Sequence, residues 1–166
     1  MNKSILGILL LSILLVACSP KTAQLGDTVT VEYVATLPDG TPFDKSTDYD
    51  VPITFVIGKH KVLMGMENMV VGMKAGEQKK ELLRPDEAYG IYDQTKVQLV
   101  PLNNFPSGSH LQKGMALHFT DNVQHKDVPG IITEISNDGV TVDLNHPAAG
   151  KSLWFNITVV KIESKK

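Results

Sequence analysis

Hydrophobic positions recur along this chain in two periods. From Thr28 to Thr36 they alternate, with Val29, Val31 and Tyr33 on one side, as in a half-buried strand. Residues 53–57 form an apolar run suited to a second strand, and Gly58 stops it. The spacing then changes to three and four. Val62, Met66, Met69 and Met73 predict one face of a helix of about three turns. Gly72 and Gly76 bracket its end, where a left-handed residue costs least. Residues 77–84 make a weaker strand pattern, because Leu83 shares its parity with Glu81 and Lys79. Further on, strands are predicted at 115–119, 130–135 and 140–144, with Asn137-Asp138-Gly139 as a hairpin turn and 101–105 as a short helix. One helix delivered by a strand, with strands before and after it, predicts an α+β fold: a curved antiparallel sheet wrapped on a short helix. The Val and Met stripe serves as core in that fold. Its beginning, Val62, Leu63 and Met66, could also floor an apolar pocket.

The first residues change the picture of where the chain resides. Lys3 gives a positive start, and positions 5–16 are apolar except for Gly7 and Ser12. A bilayer-spanning helix needs about 20 apolar residues, so this run is too short and matches the hydrophobic part of a signal peptide. It ends in Leu15-Val16-Ala17-Cys18, which resembles the bacterial lipobox, where the cysteine is lipidated and becomes the new N-terminus. An ordinary signal peptide cut near Ala17 stays open as the alternative. Cys18 is the chain's one cysteine, which favours the lipobox. Removing the first 17 residues leaves 149 and moves the formal net charge from −2 to −3. No stripe of Lys and Arg exists to neutralise phosphates, so a nucleic-acid partner is not expected. A lone cysteine cannot close an internal disulfide, so the core alone must hold the fold. Ser19 stands where an Asp is the usual inner-membrane retention signal. By that resemblance the protein is expected on the periplasmic face of the outer membrane, if the envelope is Gram-negative.

Four stretches then occur in order: VEYVATLPDGTPFDKS from Val31, PITFVIGKHKVLMGMENMVVGMKAGE from Pro52, PDEAYG from Pro85, and LWFNITVVKIE from Leu153. Together they resemble the FKBP-type peptidyl-prolyl cis/trans isomerases. Between AYG and the last strand a simple isomerase has a short flap, whereas this chain has nearly sixty residues. AYGIYD before that stretch and DLNHPAAGK after it resemble the SlyD-like subclass, which carries an insert-in-flap domain. The resemblance implies a division into a signal peptide (1–17), a tether (18–25), a discontinuous isomerase domain (26–92 and 147–163) and a small β-rich inserted domain (93–146). It implies a monomer that takes unfolded or partly folded X-Pro polypeptides as partners and touches the membrane through lipid on Cys18. No cofactor is expected. The five histidines, His60, His110, His118, His125 and His146, show no tight ligand spacing, so no metal is expected either.

The same resemblance places Tyr33, Phe43, Asp44 and Tyr89 as catalytic candidates in a proline pocket. Ile53, Val62, Leu63, Met66 and Phe155 are its substrate-binding lining. Ile53 stands where many members have Phe, and Met66 where many have Trp. A thioether floor still receives a proline ring, and the two departures bear on macrolide-inhibitor binding more than on activity. A pocket of this kind needs no nucleophile. Tyr89 could hold the substrate carbonyl, and Asp44 could orient Tyr33 or meet the rotating carbonyl. The aromatics could also be plain core. Two functions are expected to compete: an isomerase with chaperone activity in the insert, and a binding-only chaperone or envelope adaptor that keeps the fold without catalysis.

Overall fold

The computed structural model describes residues 20–49, 52–121 and 126–165. Cys18 and the expected signal peptide lie outside the described residues.

The expected alternation produces the central strands. β1 (Thr28–Thr36) buries Val29, Val31, Tyr33 and Ala35, and the last strand, β9 (Leu153–Glu163), buries Leu153, Phe155, Ile157 and Val159. The two pair antiparallel along their length, with a bulge between Thr30 and Val31 that bends the sheet. Two short strands share the other edge of β1. β2 (Pro42–Lys45) pairs its second half and β3 (Ile53–Val56) its first. β4 (Gln78–Leu83) closes the far side against β9. Only Leu83 of β4 is buried, which explains why its pattern is faint in the sequence. Asp39-Gly40 makes the first hairpin, with Gly40 at φ +89°.

The helix is shorter than its periodicity predicts. α1 spans Met64–Val70, seven residues, so Val62 and Met73 fall outside it. Leu63 is its N-cap residue, in extended geometry. The spacing of three and four continues past both ends because the flanking segments also turn Val62 and Met73 towards the core. Met66, Met69 and Val70 pack on the inner face of the sheet. Gly65 allows close approach: a Cβ there would collide with the buried Leu83 side chain and press on the Glu87 carbonyl.

Within the expected tether, Ala23 is buried, its N–H donates to the Met73 carbonyl and its carbonyl accepts from Gly72 N–H. The chain is thus docked on the helix end from Thr22 onward. Close by, the Asp27 carboxylate accepts from the backbone N–H of Gln24 and of Lys165 and pairs with Lys21, tying the start of the domain to its end.

A second sheet lies between β4 and β9 in sequence. It runs β5 (Val97–Val100), β8 (Val140–Asp143), β7 (Lys126–Ile135), β6 (Ala116–Asp121), all antiparallel. The expected strands are present in it, and β5 is an addition. The predicted 101–105 helix is a single 3-10 turn at Leu102–Asn104. This sheet has its own core of Ile132, Val140 and Val142, with Phe105, Met115, Leu117 and Phe119 against it.

Candidate functional site

The inner face of β1 meets the start of α1 at a cavity of about 280 Å3. Tyr33, Ile53, Val62, Leu63, Met66 and Tyr89 line it, together with Lys61. Six of these seven were expected from the sequence. Each arrives on a different element: Tyr33 by inward alternation on β1, Ile53 at the head of β3, Met66 on the buried side of α1. Val62 and Leu63 come from the bend just before the helix. Tyr89 comes from the turn that follows the 3-10 segment Pro85–Glu87, where Gly90 donates its N–H to the Pro85 carbonyl.

The turn and bend that lead into α1 are held by one buried carboxylate. Glu67, 4% exposed, accepts from the backbone N–H of Gly58 at 3.0 Å and of His60 at 2.7 Å. The imidazole Nδ1 of His60 lies 3.4 Å from the same group. His60 sits at φ +52°, a left-handed conformation rare outside glycine. The two backbone bonds to Glu67 fix that conformation and so aim Val62 and Leu63 at the cavity.

Phe43 and Asp44 stand beside the cavity and do not line it. The Phe43 ring meets Tyr89 edge to face at 5.7 Å between centroids. Asp44 accepts from the Tyr33 hydroxyl at 2.7 Å and, on its other oxygen, from the Tyr49 hydroxyl at 3.1 Å. Phe155 is wholly buried behind Tyr33, 5.7 Å between ring centroids, so it backs the wall without reaching the cavity. Lys61, Tyr49 and His146 join the group without having been singled out for it. His146 stacks flat on Tyr89, with centroids 4.1 Å apart and planes 2° from parallel. DLNHPAAGK carries it in the sequence, but the spacing of the histidines bears only on metal binding and does not place it here. Among the described residues no three His, Cys, Asp or Glu side chains converge to hold a metal.

The two cavity tyrosines have different electrostatics. Burial, and then the bond to Asp44, pushes the Tyr33 phenol far above its ordinary value. Burial, and then the charge on Asp44, pushes Tyr89 up to about 12. Both are therefore hydrogen-bond donors at any physiological pH. The Tyr33 proton is already committed to Asp44. Tyr89 makes no hydrogen bond through its hydroxyl among the described residues, so its proton is available to a ligand. The site thus offers an apolar cavity large enough for a small ring, with one free phenol at its side.

A family model described as FKBP-type peptidyl-prolyl cis-trans isomerase matches residues 19–128. The chain is 30% identical over 143 residues to the FKBP-type 16 kDa peptidyl-prolyl cis-trans isomerase of Escherichia coli, covering 86% of this chain and 95% of that protein. It is 37% identical over 109 residues to the FKBP-type peptidyl-prolyl cis-trans isomerase SlyD of Helicobacter pylori, covering 66% of this chain and 58% of that one. A short-type peptidyl-prolyl cis-trans isomerase of Methanocaldococcus jannaschii is 31% identical over 153 residues, covering 83% and 92%.

Proposed function

Since the chain belongs to the FKBP-type peptidyl-prolyl cis-trans isomerases, we propose that it turns X-Pro bonds in unfolded or partly folded polypeptides of a bacterial cell envelope. In this reading lipid on Cys18 anchors it to the membrane and the insert, residues 93–146, holds the client chain. The observation that carries the catalytic part is the cavity walled by Tyr33, Ile53, Val62, Leu63, Met66 and Tyr89. Rotation about a peptide bond is opposed by a barrier of about 18–20 kcal/mol, because it breaks amide resonance. The planar amide is more polar than the twisted one. A proline ring seated among these apolar walls draws its amide out of water, which disfavours the planar form relative to the transition state. The free Tyr89 hydroxyl holds a carbonyl of the substrate. Asp44 acts through Tyr33, keeping that ring upright as a wall. Each tenfold acceleration asks for only about 1.4 kcal/mol, so these terms suffice without a nucleophile or a metal.

The SlyD-like reading of residues 93–146 is supported by the second sheet, with its separate core, and by the length of the matches. The alignment with the Escherichia coli 16 kDa isomerase covers 86% of the chain and so takes in at least part of that sheet. The insert exposes large apolar side chains, Leu99, Leu102 and Ile135 among them, which suits a surface that grips unfolded chain. The envelope location rests on Lys3, the apolar run and the Leu-Val-Ala-Cys sequence.

The test has two arms. Phe43→Ala and Tyr89→Ala should fold and lose at least about tenfold in activity on a short X-Pro peptide, the equivalent of about 1.4 kcal/mol. Full activity in either folded variant removes that residue from the site. Palmitate should label the wild type in a bacterial host and not Cys18→Ala. Equal labelling, or none in either protein, overturns the anchor.

A further inference from the structure

The segment expected as a tether is not slack. Ala23 is buried, with its N–H on the Met73 carbonyl and its own carbonyl on Gly72 N–H. Thr22 bridges to Lys74. The Lys21 ammonium lies 3.1 Å from the Asp27 carboxylate and donates to the Ser164 hydroxyl at 2.7 Å. The folded domain therefore begins at Lys21, three residues after Cys18. Even fully extended, such a link spans only about 10 Å. A lipid on Cys18 would hold the Lys21 end of the domain at the headgroup layer, with no spare chain to stand it off.

That end carries a distinct surface. β1 starts there, and its Thr28 pairs with Val56 on one side and with Glu163 on the other. Around these strand ends lies a groove of about 760 Å3, whose lining includes Leu25, Thr28, Val56, Lys59 and Lys165. The Leu25 side chain lies across Gly58, so close that a Cβ there would collide with it, yet it is 78% exposed. The Lys165 stem runs over Gly26, 3.1 Å from where a Cβ would stand. Two carboxylates of this end have lysines of their own: Asp27 has Lys21, and Glu163 has Lys161 at 2.8 Å. Lys59 and Lys165 enter no ion pair among the described residues. The surface thus has a surplus of two positive charges on a mature chain whose formal net charge is −3.

We propose that the face formed by Leu25, Lys59 and Lys165 is a docking surface for a bilayer containing anionic phospholipid. The inference rests on the lipid anchor at Cys18 proposed above. An anionic surface attracts lysines only within about a Debye length, roughly 8–10 Å at physiological salt. The three-residue link has the same reach, so the anchor brings these two ammonium groups into range of the phosphates. A lysine can lay its stem along apolar surface while its charge stays in the headgroup layer, and Leu25 supplies an apolar side chain at the same level. Tethering also makes the contact intramolecular, so a weak surface suffices.

Docking at this end fixes which way the molecule faces. β1 runs nine residues from Thr28 to Thr36, about 25–30 Å. The cavity residue Tyr33 lies past its middle. Trp154, next to the Leu83–Leu153 pair that flanks the passage to the second sheet, lies opposite Thr36. The Thr36 end, and with it that passage, is thereby turned away from the lipid.

The test uses the lipidated mature chain in vesicles of phosphatidylethanolamine and phosphatidylglycerol. An amine-reactive reagent is applied and each lysine is read by mass spectrometry. Compared with an unlipidated chain beginning at Ser19, Lys59 and Lys165 should react at least about threefold more slowly, as two ammonium groups held in a headgroup layer would. The exposed Lys113 and Lys151 should react at an unchanged rate. Lys59→Glu should remove the protection of Lys165, and Lys165→Glu that of Lys59, with tetrapeptide activity unchanged as the check on folding. Vesicles of phosphatidylcholine alone should weaken the protection in the wild type. If palmitate labels the protein and Lys59 and Lys165 still react like Lys113 and Lys151, the docking surface falls and the anchor stands. Equal protection of all four lysines, or protection kept in full after charge reversal or on phosphatidylcholine, also overturns the proposal. If palmitate does not label the wild type, the anchor falls and this inference falls with it.

Discussion

Tyr33 and Tyr89 differ by one hydrogen bond, and that bond separates their roles. Asp44 takes the Tyr33 proton at 2.7 Å and leaves Tyr89 free. Asp44→Asn keeps the shape but replaces a charge-assisted bond by a neutral one, weaker by about 1 kcal/mol. Because Asp44 acts on the wall and not on the reacting bond, we expect a fall of about threefold to tenfold in kcat/KM on a tetrapeptide, with the fold intact. A loss as deep as that of Tyr89→Ala would place Asp44 in direct contact with the substrate. At this scale the sequence is only half informative. VEYVATLPDGTPFDKS and PDEAYG name Tyr33, Phe43, Asp44 and Tyr89, because the residue types and their order are written in the chain. Which hydroxyl is free is not written there. It depends on Tyr49 and Tyr33 converging on one carboxylate from β1 and from the turn after β2, and only the folded sheet brings those elements together. His146 was hidden for the same reason, since its partner Tyr89 lies across the whole insert.

The approach to α1 is the element on which the cavity depends. Three statements about it could be read from the sequence: a strand, a Gly stop and an apolar helix face. Its true length could not, because Val62 and Met73 satisfy helical spacing while lying in the bend before the helix and just past the turn after it, and burial alone does not distinguish these from helix. Nor could the role of Glu67 be read, a charge on an otherwise apolar stretch. The structure makes it the acceptor that replaces missing local hydrogen bonds at Gly58 and at the left-handed His60. Glu67→Gln retains one acceptor oxygen and turns an amide NH2 towards the other backbone N–H. A buried donor left facing a donor costs about 2–3 kcal/mol, and for a chain of this size each kcal/mol lowers Tm by about 2–4 °C. We expect Tm to fall by roughly 5–10 °C and isomerase activity measured at 15 °C to fall as well, because Val62 and Leu63 lose their aim. A thermal melt unchanged within about 2 °C would show that the 58–60 turn stands without Glu67.

At the scale of the whole molecule the two sheets are joined by a narrow crossing. Gly150 N–H donates to the Gly90 carbonyl at 2.9 Å, so the chain that leaves the first sheet and the chain that returns already touch. The second sheet packs on its own core, and none of the residues that line the cavity belongs to it. The existence of this unit could be read from the interval between AYG and the last strand, whereas its strand order could not, since β5 pairs with β8 across forty residues. Replacing residues 93–145 by a short turn should therefore leave β1, β9 and α1 with all their partners, and the shortened protein should fold. Its activity on a tetrapeptide should persist at a substantial level, because a tetrapeptide needs only the cavity, and every residue lining the cavity is retained. Activity on a refolding protein limited by proline isomerisation should fall much further. A weak second site tethered near the pocket raises the local concentration of a long client's prolines without adding a pocket contact, and a tetrapeptide cannot span both sites. The deciding quantity is the ratio of the two activities before and after the replacement. A ratio that falls by about tenfold or more fits a client-holding insert, since tethering effects reach that size readily. An unchanged ratio would mean that the second sheet serves only as a lid or as scaffold, and that Leu99, Leu102 and Ile135 are exposed for some purpose other than gripping clients.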